Sequence, residues 1–276
     1  MGQKRPDHTS RRLTPFAALD ERTTLARPDL AEQALEGLVR AAAFRAVEPS
    51  HCRVAVADLF ADADAGAQIL DQLIFGEAFD VLDQQGGFAW GRARRDGSVG
   101  WVATSALSRD APLATHRVAV TGAALPLNAL VHHIYCGVVA EDLQPIGVFE
   151  RDPAAVAERL LGTPHRLGAR SSIATDCSGM VQQALYACGL PGPRHSDQQA
   201  ELGRAVERSD LRRGDIVVLP AEPGHEWTGH SALALDAGRV IHATGHHGRV
   251  VIEDLALAEA RYAADGFRSP VFRRID

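Results

Sequence analysis

The sequence predicts an α+β chain in which a small all-β barrel stands upstream of a mixed helix–strand domain. Three observations carry this. Residues 51–108 are short apolar runs divided by turn residues such as Gln85-Gly86-Gly87 and Asp96-Gly97. Residues 151–276 open on two signalled helices and continue into four β-like runs. The 276 residues are 46% apolar and 23% charged, which is the balance of a globular protein with a sizeable core.

Taken in order, residues 1–50 form an N-terminal helical or extended segment. Within it "DLAEQALEGLVRAAAFRAV" has helix-forming composition between Pro28 and Pro49, and a helix is expected there. Residues 51–110 form the barrel, with strands expected in "AFDVLD", "FAWGRAR" and "VGWVAT". Residues 111–150 look β-rich but are too short for a second full barrel, so a reduced one or none is expected. In residues 151–276, Asp152 caps a helix that has Pro153 at its first position and stops at Gly162. A second helix follows in "TDCSGMVQQALYACG", with Met180, Val181, Ala184, Leu185 and Cys188 on one face. Strands are expected in "GDIVVLP", "HSALALD", "RVIHAT" and "RVVIEDL", then a last helix near "LALAEARYAAD".

The net charge of −6 argues against a nucleic-acid partner. The N-terminus has no apolar stretch of signal-peptide length, and the most apolar window is broken by Pro126, Asn128, His132 and His133, so a cytoplasmic protein without a membrane partner is expected. Cys52, Cys136, Cys177 and Cys188 form no CxxC pair, so free thiols are expected, with neither a disulfide framework nor a zinc knuckle. The histidines 225, 246 and 247 crowd one region without a metal-ligand motif, and no cofactor is expected.

A cysteine at the first turn of a helix is either a small core residue or a nucleophile. Cys177 stands where the helix N-terminus favours a thiolate. His230 and His242 lie on consecutive expected strands at an even separation, so an antiparallel turn around "DAGR" puts both on one face, the arrangement a nucleophile–base–orienter set needs.

At these residues the chain resembles a known family. "DCSGMVQQAL", "LRRGDIVVL", "GHSALAL" and "VIHAT", in that order, resemble the NlpC family of papain-like cell-wall cysteine peptidases, over about residues 151–275. The upstream "GEAFDVLD", "GGFAWGR" and "DGSVGWV" resemble a bacterial SH3-type domain. The resemblance implies a papain-like C-terminal domain with Cys177 as nucleophile, His230 as base and His242 as orienter. It also implies a murein peptide as substrate, with hydrolysis at the bond between the γ-carboxyl of D-glutamate and a diamino acid, as in peptide recycling. In such enzymes the acid before the cysteine, the serine after it and an R-D-S segment hold the substrate's amino end, which here implicates Asp176, Ser178, Arg194 and Ser196.

Three positions depart from the pattern. His195 stands where the R-D-S aspartate belongs, His165 replaces the tyrosine expected beside the oxyanion, and Ser98 replaces the barrel's usual tyrosine. A histidine cannot reproduce an aspartate–ammonium pair. Two alternatives therefore stand beside the hydrolase: an acyltransferase on the same scaffold, and a catalytically impaired murein-peptide binder. The sequence leaves the oligomeric state open.

Overall fold

The computed structural model describes residues 19–132 and 137–276. Cys136 and the basic stretch 1–18 lie outside the described residues. Chain order begins with the short strands β1 (Ala31–Glu32) and β2 (Phe44–Arg45), which pair in parallel. Then come β3 (Glu48–Cys52), β4 (Val56–Phe60), β5 (Ile69–Ile74), β6 (Ala78–Gln85), β7 (Phe88–Ala93), β8 (Val99–Ala103) and β9 (Leu107–Ser108). These seven make one antiparallel sheet in the order β5-β4-β8-β7-β6-β3-β9, curled around Leu59, Leu73, Phe79, Ala89 and Val102.

The helix expected over residues 29–47 is absent. That stretch is extended apart from one 3-10 turn at Gln33–Leu35, and Gly37 adopts a left-handed φ of 82°. Leu25 and Leu30 are instead buried against Phe60, Leu82, Trp90 and Trp101. Arg27 stacks on Trp90, its guanidinium carbon 4.2 Å from the ring centre, and ion-pairs with Asp83. Burying Leu30, the one leucine of that stretch in the cluster, contributes on the order of 1.5–3 kcal/mol, which outweighs the small propensity differences that favour a short helix.

A three-stranded sheet follows, with β10 (His116–Val118) between β11 (Leu130–Val131) and β12 (Leu143–Pro145). It packs Val118, Leu125, Ala129 and Val131 against Ile74 of the seven-stranded sheet.

The remaining elements are α1 (Pro153–Glu158), α2 (Cys177–Ala187), α3 (Ser196–Gln199), β13 (Arg204–Val206), β14 (Ile216–Pro220), β15 (Gly229–Ala234), β16 (Arg239–Thr244), β17 (Arg249–Asp254), α4 (Leu255–Ala264) and β18 (Val271–Arg274). The strands form a six-stranded antiparallel sheet in the order β13-β18-β14-β15-β16-β17. Helix α1 begins as its sequence signals: Asp152 accepts from the N–H groups of Ala154 and Ala155, and Pro153 occupies the first position. Helix α2 differs from the one-faced helix expected, for every residue from Ser178 to Ala187 is buried. Its apolar side meets the six-stranded sheet and α1, while Gln182 and Gln183 face polar partners from the barrel side and the central segment. Among the described residues no helix is long and apolar enough to cross a membrane.

Candidate active site

The N-terminus of α2 is set by its own cap. Asp176 takes extended backbone and accepts the Gly179 N–H at 2.8 Å, which starts the helix at Cys177. Gly179 is required by close packing, since a Cβ there would lie 2.4 Å from the carbonyl oxygen of Ala169. Cys177 thus comes to the floor of a cleft of about 450 Å³, partly exposed. The cleft wall includes His165, His195, Ser196 and His230 from the sequence-derived set, with Asp176 and Ser178 beside the cysteine. Arg22 and Gln68–Leu70 close it from the N-terminal segment and the barrel, and Trp227 and Tyr262 from the C-terminal domain.

His230 and His242 meet as their spacing predicts. In the β15–β16 ladder Leu233 opposes Ile241, so continuing the register sets His242 diagonally across from His230 on the same face. His230 Nε2 lies 2.9 Å from His242 Nδ1, and His242 Nε2 lies 3.0 Å from Glu253 Oε2 on β17. His242 is wholly buried behind the cleft wall. Arg261 grips both Glu253 oxygens at 2.5 and 2.6 Å and, as the largest cause, holds that carboxyl down at about 2. Tyr262 stacks on the His230 ring, with centroids 4.1 Å apart and planes 22° apart, and its hydroxyl donates to Thr244.

Burial and the His242 charge lower His230 well below its ordinary value. Burial brings His242 down to about 4 despite Glu253. Burial, then the charge of Asp176, pushes the Cys177 thiol up to about 11, with the Ser231 N–H and the Ser196 hydroxyl acting the other way. The thiolate expected from the helix N-terminus is thus outweighed by burial, and the thiol and the His230 imidazole line one cleft, both shifted toward their uncharged forms.

The remaining sequence-derived residues divide by their commitments. Ser196 Oγ is 3.9 Å from the sulfur. Asp176 and Ser178 line the cleft, but Arg194 holds both: its Nη1 and Nη2 reach the two Asp176 oxygens at 3.0 and 2.6 Å, and Nη1 reaches Ser178 Oγ at 2.9 Å. His195, pulled down to about 4 by burial and by Arg194 and Arg22, is a neutral group where the family pattern has an acid. Ser98 is buried in the barrel, with its N–H on Asp96, and does not line the cleft. Among the described residues no group of three His, Cys, Asp or Glu side chains is placed to hold a metal ion.

Glu253, Arg261, Tyr262 and Arg22 were not singled out from sequence. A signal existed for Glu253: in the β16–β17 ladder His242 opposes Val251, and the acid two residues on shares its face. Tyr262 and Arg22 carry no such local signal, since their places are set by how α4 and the N-terminal segment pack.

Comparison with known proteins agrees with this architecture. Residues 162–266 match the NlpC/P60 family and residues 59–107 match the bacterial dipeptidyl-peptidase Sh3 domain. The chain is 31% identical over 125 residues to the gamma-D-glutamyl-L-lysine dipeptidyl-peptidase of Bacillus subtilis, covering 45% of this chain and 38% of that protein. It is 35% identical over 92 residues to the murein DD-endopeptidase MepS/murein LD-carboxypeptidase of Escherichia coli, covering 33% of this chain and 47% of that one. The chain thus spans less than half the length of these curated relatives. An NlpC/P60 family protein of Bacillus cereus shares the fold at a TM-score of 0.71 and 16% identity, over 82% of this chain and 99% of that one. An NlpC/P60 endopeptidase of Photobacterium damselae does so at 0.58 and 12%, over 82% and 72%. Residues 162–266 therefore carry an NlpC/P60-type domain, downstream of an SH3 domain of the bacterial dipeptidyl-peptidase type.

Proposed function

We propose that the protein is a cysteine peptidase of murein peptides, with Cys177 as nucleophile, His230 as general base and His242 as orienter. The observation that carries this reading is the hydrogen-bonded line His230–His242–Glu253 ending beside a cysteine at a helix N-terminus. Its proton positions follow from chemistry. An ionised Glu253 only accepts, so His242 carries its proton on Nε2 and offers a bare Nδ1. His230 then carries its proton on Nε2, which leaves its Nδ1 lone pair free to act as base.

In the reaction His230 Nδ1 takes the thiol proton as the sulfur attacks the scissile carbonyl. The carbonyl electron pair moves onto oxygen, held by the Cys177 peptide N–H at the α2 terminus and by a ring N–H of neutral His165. The intermediate collapses with loss of the C–N bond, and His230 returns the proton to the departing amine. Water, deprotonated by His230, then cleaves the thioester. Because thiol and imidazole are both uncharged at rest, proton transfer accompanies attack rather than preceding it.

The finer assignment is the bond between the D-glutamyl γ-carboxyl and a diamino acid in freed murein peptides, a recycling step in the cytoplasm. The dipeptidyl-peptidase matched over 125 residues supports the bond. His195, uncharged in place of an acid, argues for a different grip on the peptide's amino end. Digesting a panel of defined murein tri-, tetra- and cross-linked peptides and weighing the products tests this assignment. Release of the diamino acid portion from L-Ala-γ-D-Glu-diamino acid supports it, and transfer of the acyl group to an added amine in place of water would make the protein an acyltransferase instead.

A further inference from the structure

Between the barrel and the C-terminal domain lies a buried set of charges that the mechanism above does not use. Asp71 on β5, Glu77 and Asp96 come from the barrel side, and Arg170, Arg194 and Asp176 from the other. Arg170 is fully buried, with Nη1 and Nη2 3.1 and 2.6 Å from the Glu77 oxygens and Nε 3.0 Å from Asp71 Oδ1. Arg194 reaches the other way: Nε lies 2.7 Å from the same Asp71 oxygen, an ionic contact with the N–H turned aside, while the fork holds Asp176. An unbroken path of contacts runs from barrel strand β5 through Asp71, Arg194 and Asp176 to the first turn of α2, where Cys177 sits. The same strand brings Ile69 and Leu70 into the cleft wall two residues before Asp71.

We propose that Arg194, anchored by Asp71 of the barrel, is a positioning residue for Cys177: it clamps Asp176 at the helix cap and cancels that carboxylate's charge beside the sulfur, which makes the barrel part of the working site. This rests on the reading of Cys177 as nucleophile. Asp176 disfavours the thiolate and Arg194 favours it. The other titratable groups facing the sulfur's cleft are His165, His195, Glu226, His230 and Tyr262, together with Arg22, which Asp20 and Asp197 already engage. The Arg194 fork is thus the direct counterweight to the acid adjoining the cysteine.

The experiment is the pH dependence of Cys177 alkylation by iodoacetamide in the full chain, read by peptide mass mapping so that Cys52, Cys136 and Cys188 are counted separately, with melting temperature recorded for each variant. Arg194→Gln is expected to slow alkylation at pH 8 about ten-fold and Asp176→Asn to speed it about ten-fold, a unit of thiol pKa in opposite directions. The double variant is expected to return to within about three-fold of wild type. A merely structural role would lower the melting temperature in both single variants without opposite shifts of the titration. Equal titration of Cys177 in wild type and Asp176→Asn overturns the proposal, and this arm decides it where Arg194→Gln fails to fold. Asp71→Asn is expected to lower kcat at least about ten-fold with KM little changed, because small displacements of a nucleophile are costly; an unchanged kcat removes the barrel from the proposal. Hydrolysis that persists in Cys177→Ala refutes the peptidase reading instead, and leaves the alkylation result standing.

Discussion

His230 and His242 meet nitrogen to nitrogen at 2.9 Å with their rings 78° apart, and the far nitrogen of His242 rests on a carboxylate. Two neutral imidazoles can share that contact only if one donates and the other accepts, and Glu253 decides which.

Glu253 should therefore matter to turnover although it lines no part of the cleft. Glu253→Gln places an amide that can donate to His242 Nε2 and reverse the tautomer, and it removes the anion beside a forming imidazolium. A fall in kcat of about 10²-fold is expected in steady-state assays on a murein tripeptide, with KM within a few-fold of wild type. An unchanged kcat would take Glu253 out of the line.

The pH profile follows from the direction of the histidine shift. His230 acts in its neutral form, and burial lowers its pKa, so the base stays competent as pH falls through 6.5, where an ordinary histidine would begin to protonate. The acid limb of kcat/KM should lie below pH 6.5. The thiol is pushed up to about 11, so no loss is expected on the alkaline side up to pH 9. A limb at or above 6.5 in a kcat/KM–pH series would contradict the neutral resting pair.

The stack of Tyr262 on His230 makes a separable claim. Tyr262→Phe keeps the ring and loses the hydroxyl with its contacts to Thr244 and Arg261, so kcat should stay within about three-fold of wild type. Tyr262→Ala frees the imidazole and should cost about ten-fold or more. Similar kcat values for the two variants would show that the stack does not hold the base.

Arg170 bears on stability rather than chemistry. Its replacement by alanine breaks two buried ion pairs and leaves Glu77 only Arg95 and Asp71 only Arg194 as cationic partners, which costs about 3–5 kcal/mol. Urea unfolding should show a loss of that size. A loss under about 1 kcal/mol would mean that water reaches the cluster.

What the sequence makes legible here are features that local rules write into neighbouring residues. The Asp152 cap, the Gly-Gly and Asp-Gly hairpins and the apolar runs of β14–β17 all sit where their residues imply, and the histidine pair follows from strand period alone. The segment 29–47 is not legible, because Leu30 is claimed by Trp90 and Trp101, 60 and 71 positions on in the chain, a non-local term that composition does not carry. The thiol's raised pKa was hidden for the same reason. The helix N-terminus is written beside Cys177, whereas the burial that outweighs it comes from the barrel, α3 and α4 closing over the site. The charged seam of Arg170, Arg194, Asp71 and Glu77 is likewise dispersed, its members lying up to 123 positions apart in the chain.

The central claim is that Cys177 performs the attack, and incubation of L-Ala-γ-D-Glu-L-Lys with wild type and with Cys177→Ala, products weighed by mass spectrometry, tests it most directly. The wild-type protein is expected to release L-Ala-D-Glu and lysine, while the variant, folded by its melting curve, releases neither. Hydrolysis by Cys177→Ala at a rate near that of wild type would contradict the account.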